Sequence, residues 1–341
     1  MAAAQLPRAP ESWYHACRSS ALAPGTILTW RLFDRPLVVY RGASGRVVAM
    51  DARCPHMGAH LGHGRVNGDR LTCALHHWTC DAAGRCSAPD GGGRLRGRVY
   101  PVVERYGSVF VFPARTARFE LPQIDPDDDR ELRVVAGPPR FIHTSWASIA
   151  TNAFDADHMD AVHKRAMREA PVLSLVGGDC LQMRYVSRVT GNGVSDRIMR
   201  WVSNDAVHAT IRCWGGTLIG VRSEAGAIVS RLLLCLTPQP HGVEITPLFA
   251  RPVSGNAAVD RILLDAGRWL FTAFLTRDLV PLDDMDLRIE GALSSRGAVG
   301  FAARWLLTIP AAPAIADQPD DLALRVVQRV TEPAAHAGSQ V

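Results

Sequence analysis

At 341 residues, with 47% hydrophobic and 21% charged side chains, the chain has the length for two domains and the composition of an ordinary globular protein, which excludes a disordered class. Its formal charge of +5 rests on arginine, Lys164 being the one lysine, and with no basic run or basic patch interleaved with aromatics it offers no nucleic-acid footprint. No window reads as a membrane span, since the nearest, 298–316, contains Arg304, Pro310 and Pro313.

Residues 1–11 are rich in Ala and Pro and are expected to be loose. They lack the continuous apolar core of a secretory signal, so a reducing, cytoplasmic setting is expected. In that setting Cys80 and Cys86, which flank a turn at Gly84, and Cys17, Cys180, Cys213 and Cys235 read as buried small hydrophobes rather than disulfides. Runs at 26–30, 37–40 and 45–50, and later at 99–103 and 109–112, are β-branched or aromatic and are punctuated by Gly, Pro and Asp. They predict a small antiparallel β domain over 12–115. The Gly91-Gly92-Gly93 run lacks the lysine and following helix of a phosphate loop and reads as a flexible loop.

Within that domain Cys54-Pro55-His56 and Cys73-Ala74-Leu75-His76 form two short arms, sixteen residues apart, each offering one thiolate and one imidazole. Two sulfurs and two nitrogens suit a [2Fe-2S] centre in which one iron takes Cys54 and Cys73 and the other His56 and His76. The competing reading is a structural Cys2His2 zinc, but in the usual zinc pattern each arm carries like ligands, whereas both arms here are mixed. Glycines at 58, 62, 64 and 84 supply turns that bring backbone amides close to cluster sulfurs.

Residues 113–138 form a Pro-, Asp- and Arg-rich connector, in which Asp125-Pro126-Asp127-Asp128-Asp129 reads as solvated loop. A helical segment opening at Trp146 carries Asn152, Asp155, His158 and His163. Strands are expected over 181–190, 197–203, 207–214, 217–221, 229–237 and 243–251, together one curved antiparallel sheet. Residues 257–277 return to helical periodicity, with Ile262, Leu263, Trp269, Leu270 and Phe274 near one face, and a second helix is expected after Pro281. Trp201, Trp214, Met199 and Phe249 are candidates to line a pocket.

His158 and His163 are candidate imidazoles for an Fe(II) held by two histidines and a carboxylate, an arrangement that leaves open positions for dioxygen and substrate. Five residues turn an ideal helix through about 500°, so the two rings would diverge by about 140°. A break or π-type widening between them is therefore predicted.

The arms resemble the Rieske domain of the non-haem iron oxygenases, although that family often has Cys-Pro-Phe-His-Gly-Trp where this chain has Cys73-Ala74-Leu75-His76-His77-Trp78. Asn152-x-x-Asp155-x-x-His158-x4-His163 is similar to the same family's mononuclear-iron motif, with Thr151 where many members have glutamate. The segment Pro281-Leu282-Asp283-Asp284-Met285-Asp286-Leu287-Arg288-Ile289 resembles its carboxylate-ligand segment and points to Asp286, with Asp284 and Asp283 as alternatives, either of which would also serve as a helix cap.

The resemblance implies an α+β chain with an all-β Rieske domain at 12–115, a helix-grip catalytic domain at 116–325 and a loose tail at 326–341. It further implies a terminal oxygenase using a [2Fe-2S] cluster, Fe(II) and O2, with NAD(P)H electrons arriving through a separate reductase or ferredoxin. Its substrate would be a hydrophobic, ring-containing molecule, with hydroxylation, demethylation, amine N-oxygenation or oxidative cyclisation as outcomes. In such a ring of subunits, commonly a homotrimer, Asp155 would bridge His76 of one copy to His158 of the next. A Rieske electron-transfer protein without oxygenase activity is the rival class, and it would need neither the second domain nor residues 152–163.

Overall fold

The computed structural model describes residues 6–312 and 325–327, apart from the side chains at 194, 195, 198, 270, 271, 273, 274 and 325–327. The described residues divide into two compact units, the smaller built from residues 20–31 and 35–100 and the larger from 6–19, 32–34 and 101–312.

The first strand, β1 (Tyr14–Arg18), belongs to the larger unit; the meander β2 (Ile27–Leu32), β3 (Arg35–Arg41) and β4 (Val47–Asp51) frames the smaller one. Short strands follow as β5 (Arg65–Asn67), β6 (Arg70–Thr72), β7 (Thr79–Cys80), β8 (Arg85–Ser87), β9 (Arg94–Arg96) and β10 (Val99–Tyr100). They pair in the order β5-β6-β7-β8-β9, with β10 closing on β4. The unit is all β, and its core packs Val38, Tyr40, Met50, Leu61 and Leu71 around Cys54 and Cys73. Cys80 and Cys86 face each other across β7 and β8 and form a disulfide, correcting the expectation of two separate buried thiols. Directly opposed positions on an antiparallel pair bring Cβ atoms within disulfide reach, which sequence spacing alone does not reveal.

In the larger unit β11 (Val102–Arg105) and β12 (Ser108–Val111) pair with β1 as a three-stranded sheet. A nine-stranded antiparallel sheet follows, comprising β13 (Leu132–Ala136), β14 (Arg140–Ile142), β15 (Arg165–Met167), β16 (Val172–Val176), β17 (Cys180–Val189), β18 (Val207–Trp214), β19 (Leu218–Ala225), β20 (Ile228–Gln239) and β21 (Gly242–Pro252). Its helices are α1 (Trp146–Asn152), α2 (Ala156–Ala161), α3 (Val194–Ser203), α4 (Ala257–Leu282), α5 (Ile289–Ser294) and α6 (Ala298–Leu306).

The period of two along β20 explains how the sheet is buried on both faces. Leu232, Leu234 and Leu236 join the core shared with α1, α4 and α6, while Leu233 and Cys235 join the core that takes in Trp13, Phe112, Leu121 and Ile124.

Several local expectations are corrected. Residues 197–203 are helical, not a strand: the Asp196 carboxylate accepts from the Gly193 N–H at 3.2 Å, and Asn204 ends the helix at φ 49°. Trp201 is therefore a surface residue, 84% exposed, and Phe249 is core, Trp214 and Met199 being packed against core clusters. Ile262, Leu263 and Trp269 of α4 are exposed, its buried side being Leu264, Leu275 and Leu282; Leu270 and Phe274 lie outside the described side chains. Helix α4 also runs five residues past Arg277, to Leu282, with Pro281 in its last turn.

Residues 7–11 are pinned rather than loose. Trp146 Nε1 donates to the Pro7 carbonyl at 2.9 Å, and Glu11 and Ala312 extend the contact along 310–312. Residues 1–5 and the stretch after Val327 lie outside the described residues, so the expected tail falls there. The Asp125–Asp129 run is solvated only in part, with Pro126, Asp127 and Asp129 exposed as expected. Asp125 is buried and accepts from Arg231 at 2.5 Å and Arg222 at 3.3 Å, Asp127 accepts from Arg212 at 2.7 Å, and Asp128 accepts from Arg231. The run ties the connector to arginines of β18, β19 and β20.

Candidate metal centres

The two cysteine–histidine arms fold alike. In the first, the Cys54 N–H donates to the Ala59 carbonyl at 2.8 Å and the Gly58 N–H to the Cys54 carbonyl at 2.8 Å. In the second, the Cys73 N–H donates to the Trp78 carbonyl at 2.8 Å and the His77 N–H to the Cys73 carbonyl at 3.1 Å. Each loop needs a left-handed residue four places after its cysteine, Gly58 at φ 74° and His77 at φ 55°. Glycine takes that conformation freely; histidine does so at a cost of roughly 1–2 kcal/mol.

The matched loops place Cys54 and Cys73 at the buried base and His56 and His76 at the exposed tip, with the two rings 5.0 Å apart. Trp78 stacks on His56 at 4.8 Å and 18°. Burial raises the Cys54 thiol above its ordinary range, and Cys73 beside it adds to the rise. A bound metal would reverse that by holding the thiolate. His60 is no ligand: its Nδ1 accepts from the Gly62 N–H at 3.1 Å, and burial pushes its pKa down to about 4. The donor set, two buried sulfurs under two imidazoles, fits a Rieske cluster.

The second donor set lies in the larger unit. The expected break between the histidines is present, as α2 stops at Ala161, His163 follows in a turn, and Lys164 takes φ 55°. The rings lie 5.2 Å apart, and both Nε2 atoms converge on Asp278 Oδ1, at 2.7 Å from His158 and 2.5 Å from His163. One ligand atom from each of the three residues falls within 4.8 Å of the others, a set suited to a facial two-histidine, one-carboxylate metal site. Burial alone would raise the Asp278 pKa, but the hydrogen bonds and charges of His158 and His163 outweigh it and hold the carboxyl below its ordinary value.

Asp278 takes the place that the sequence assigned to Asp286. Asp286 pairs with Arg288 at 3.0 Å, both well exposed at 77% and 82%. The Asp283 carboxylate accepts from the His143 N–H at 2.8 Å, and Asp284 sits at φ 62° with its N–H on the His143 carbonyl. Because α4 continues to Leu282, the three aspartates after it lie beyond the helix face that meets α2, while Asp278 is still on it. The overlooked signal was a carboxylate at helical spacing between Leu275 and Leu282, both buried.

Asp155 is the N-cap of α2, its Oδ1 accepting from the Asp157 N–H at 3.0 Å and the His158 N–H at 3.1 Å. Asn152 ends α1 and its carbonyl accepts from the Asp155 N–H. Both line a cavity of about 310 Å³ with Thr151, Met285 and Arg288. A second, open hollow of about 680 Å³ lies beside the metal residues, walled by Val162, Thr276, Arg277, Val280 and Pro281.

Two donor sets lie on one chain, one on an all-β unit with the ligand pattern of a Rieske cluster and one between short helices and a long helix on a curved sheet, suited to a single metal ion. A Rieske [2Fe-2S] domain profile matches residues 12–96. Aminopyrrolnitrin oxygenase PrnD of Pseudomonas fluorescens is 35% identical over 175 residues, 46% of each chain. The vanillate O-demethylase oxygenase subunit of Pseudomonas sp. strain HR199 is 29% identical over 231 residues, 56% of this chain and 60% of that one. Dicamba monooxygenase bound to dicamba shares the fold, with a TM-score of 0.62 over 87% of this chain and 96% of that one at 20% identity. The chain spans about half the length of the curated relatives it matches. Residues 12–96 carry a Rieske [2Fe-2S] domain, and the chain is similar to oxygenases built on that domain. No helix among the described residues is long and apolar enough to cross a membrane.

Proposed function

We propose that the protein is the terminal oxygenase component of a multi-component system that oxidises a hydrophobic, ring-containing small molecule. The observation that carries this reading is the presence of both donor sets on one chain, since an electron-transfer protein has no use for His158, His163 and Asp278. Cys54, His56, Cys73 and His76 would hold the [2Fe-2S] cluster, and His158, His163 and Asp278 the Fe(II). When bound, the cluster supplies one-electron relay and the iron supplies dioxygen activation. The cap at Asp155 orients His158, and the break after Ala161 turns His163 toward Asp278. The apolar walls of Val162, Val280 and Pro281 suit a largely apolar substrate, with Thr276 and Arg277 on the same hollow to meet a polar group.

In this reading residues 12–115 work as the Rieske domain and 116–325 as the iron domain. Electrons come from NAD(P)H through a separate reductase or ferredoxin, and the setting is the cytoplasm. The copies form a ring, a homotrimer, in which Asp155 accepts hydrogen bonds from the free ring N–H groups of His76 in one copy and His158 in the next. Relatives named for O-demethylation and for aminopyrrolnitrin oxidation keep demethylase and amine N-oxygenase chemistry within the reading.

The test is Asp155→Asn. Asparagine caps a helix about as well as aspartate, so α2 should stand and the cluster should form and be reducible. Single-turnover assays should then show almost no product and slow cluster reoxidation; wild-type yield in that variant removes Asp155 from the electron route.

A further inference from the structure

The cluster-bearing unit is more basic than the chain as a whole. Residues 20–31 and 35–100 hold eleven arginines and no lysine against four aspartates, a formal +7 where the entire chain carries +5. Part of that excess gathers on one sheet edge. Strand β9 is outermost in the β5–β9 sheet, and Arg94 and Arg96, two residues apart, project from the same side of it. Arg85 on β8 lies directly opposite Arg96, adding a third guanidinium to that side.

All three arginines are exposed, and Leu95 between the two on β9 is 39% exposed. Like charges directly opposed across an antiparallel pair are destabilising. Among the described residues only Arg85 of the three has a carboxylate partner, Asp81 at 2.8 Å. The edge also leads inward. Gly93, next to Arg94, packs so closely on Trp78 that a Cβ there would lie 2.6 Å from the indole, and that indole stacks on His56. Arg94, Gly93, Trp78 and His56 thus form a packed path from the surface to a cluster arm.

Charges on a bare edge strand also keep it from pairing with another chain, a role that needs no partner. Edge protection does not account for a surplus spread over the whole unit, nor for the path to His56. We propose that the Arg85–Arg94–Arg96 face is the docking surface for an acidic one-electron donor protein of the ferredoxin type. The proposal rests on the cluster reading above.

The probe is an acidic plant-type [2Fe-2S] ferredoxin, titrated in its oxidised form against the full-length protein at about 50 mM and about 300 mM salt. Binding should weaken with salt, and Arg94→Glu/Arg96→Glu should weaken it about tenfold or more at low salt. The second-order rate at which reduced ferredoxin bleaches the visible spectrum should fall by a similar factor, while dithionite bleaches the variant fully. Arg140→Glu, an exposed charge on β14 in the larger unit, should leave both measurements unchanged. Wild-type binding and salt dependence in the double variant overturn the proposal and leave the arginines as edge protection, as does an equal loss in Arg140→Glu. If dithionite bleaches nothing in the wild type, the cluster reading fails, and the binding titration still decides the docking face.

Discussion

Asp278 occupies a helical position that hydrophobic spacing reserves for an apolar side chain, three residues after Leu275 and four before Leu282. A carboxylate is retained there only if something holds its charge, and His158 and His163 do so in this structure. Asp278→Asn should weaken Fe(II) or Co(II) binding by about a hundredfold or more, while Asp286→Asn should leave it within about twofold, measured by titration of metal-free protein. Equal losses in the two variants would return the assignment to the segment after Pro281. His77 is a second such residue. Its left-handed backbone matches Gly58 of the other arm, so His77→Gly should raise stability by about 0.5–1 kcal/mol with the visible spectrum kept. A fall in melting temperature would mean that the His77 side chain contributes more than its backbone costs.

At the scale of elements, the sequence carried what depends on pattern and missed what depends on distant partners. The long strands of the curved sheet were legible because both of its faces are buried and the residues are β-branched or apolar. Helix α3 was misread because its ends decide its state and not its apolar content, Asp196 in the first turn bonding back to Gly193 and Asn204 closing the other end. The aspartates at 125–128 were misread because their arginines lie about a hundred residues away, on β18, β19 and β20. Asp125→Ala should therefore cost about 3–5 kcal/mol in denaturant titration, because it strands the buried Arg231 charge. A loss below about 1 kcal/mol would show the network to be solvated after all. The cap at Asp155 offers a contrast, as Asp155→Ala should cost about 1 kcal/mol and Asp155→Asn almost nothing, so lost turnover in the asparagine variant cannot be blamed on unfolding.

For the whole molecule, the chemistry was more legible than the architecture. Mixed cysteine–histidine arms mark a donor set without any fold, because metal chemistry restricts residue type and spacing more tightly than packing does, and the His-x4-His pair, weak by itself, reads as a second set only beside them. The carboxylate of the second set was not legible in the same way, since one aspartate among many gains meaning only when α4 brings it to the histidines. The interleaving of the two units, with β1, β11 and β12 in the larger one, likewise depends on pairings that no local pattern announces.

If one chain holds two separate metal centres, metal counting on paired variants reads each of them apart from the other. Reconstituted anaerobically, the wild type should bind about three irons and two labile sulfides per chain, and His163→Ala about two irons with the sulfide count and visible spectrum unchanged. His76→Ala should lose the spectrum and the sulfide yet keep the single iron. Loss of the cluster spectrum in folded His163→Ala, or zinc in place of iron and sulfide at the arms of the wild type, would rule out two independent iron centres.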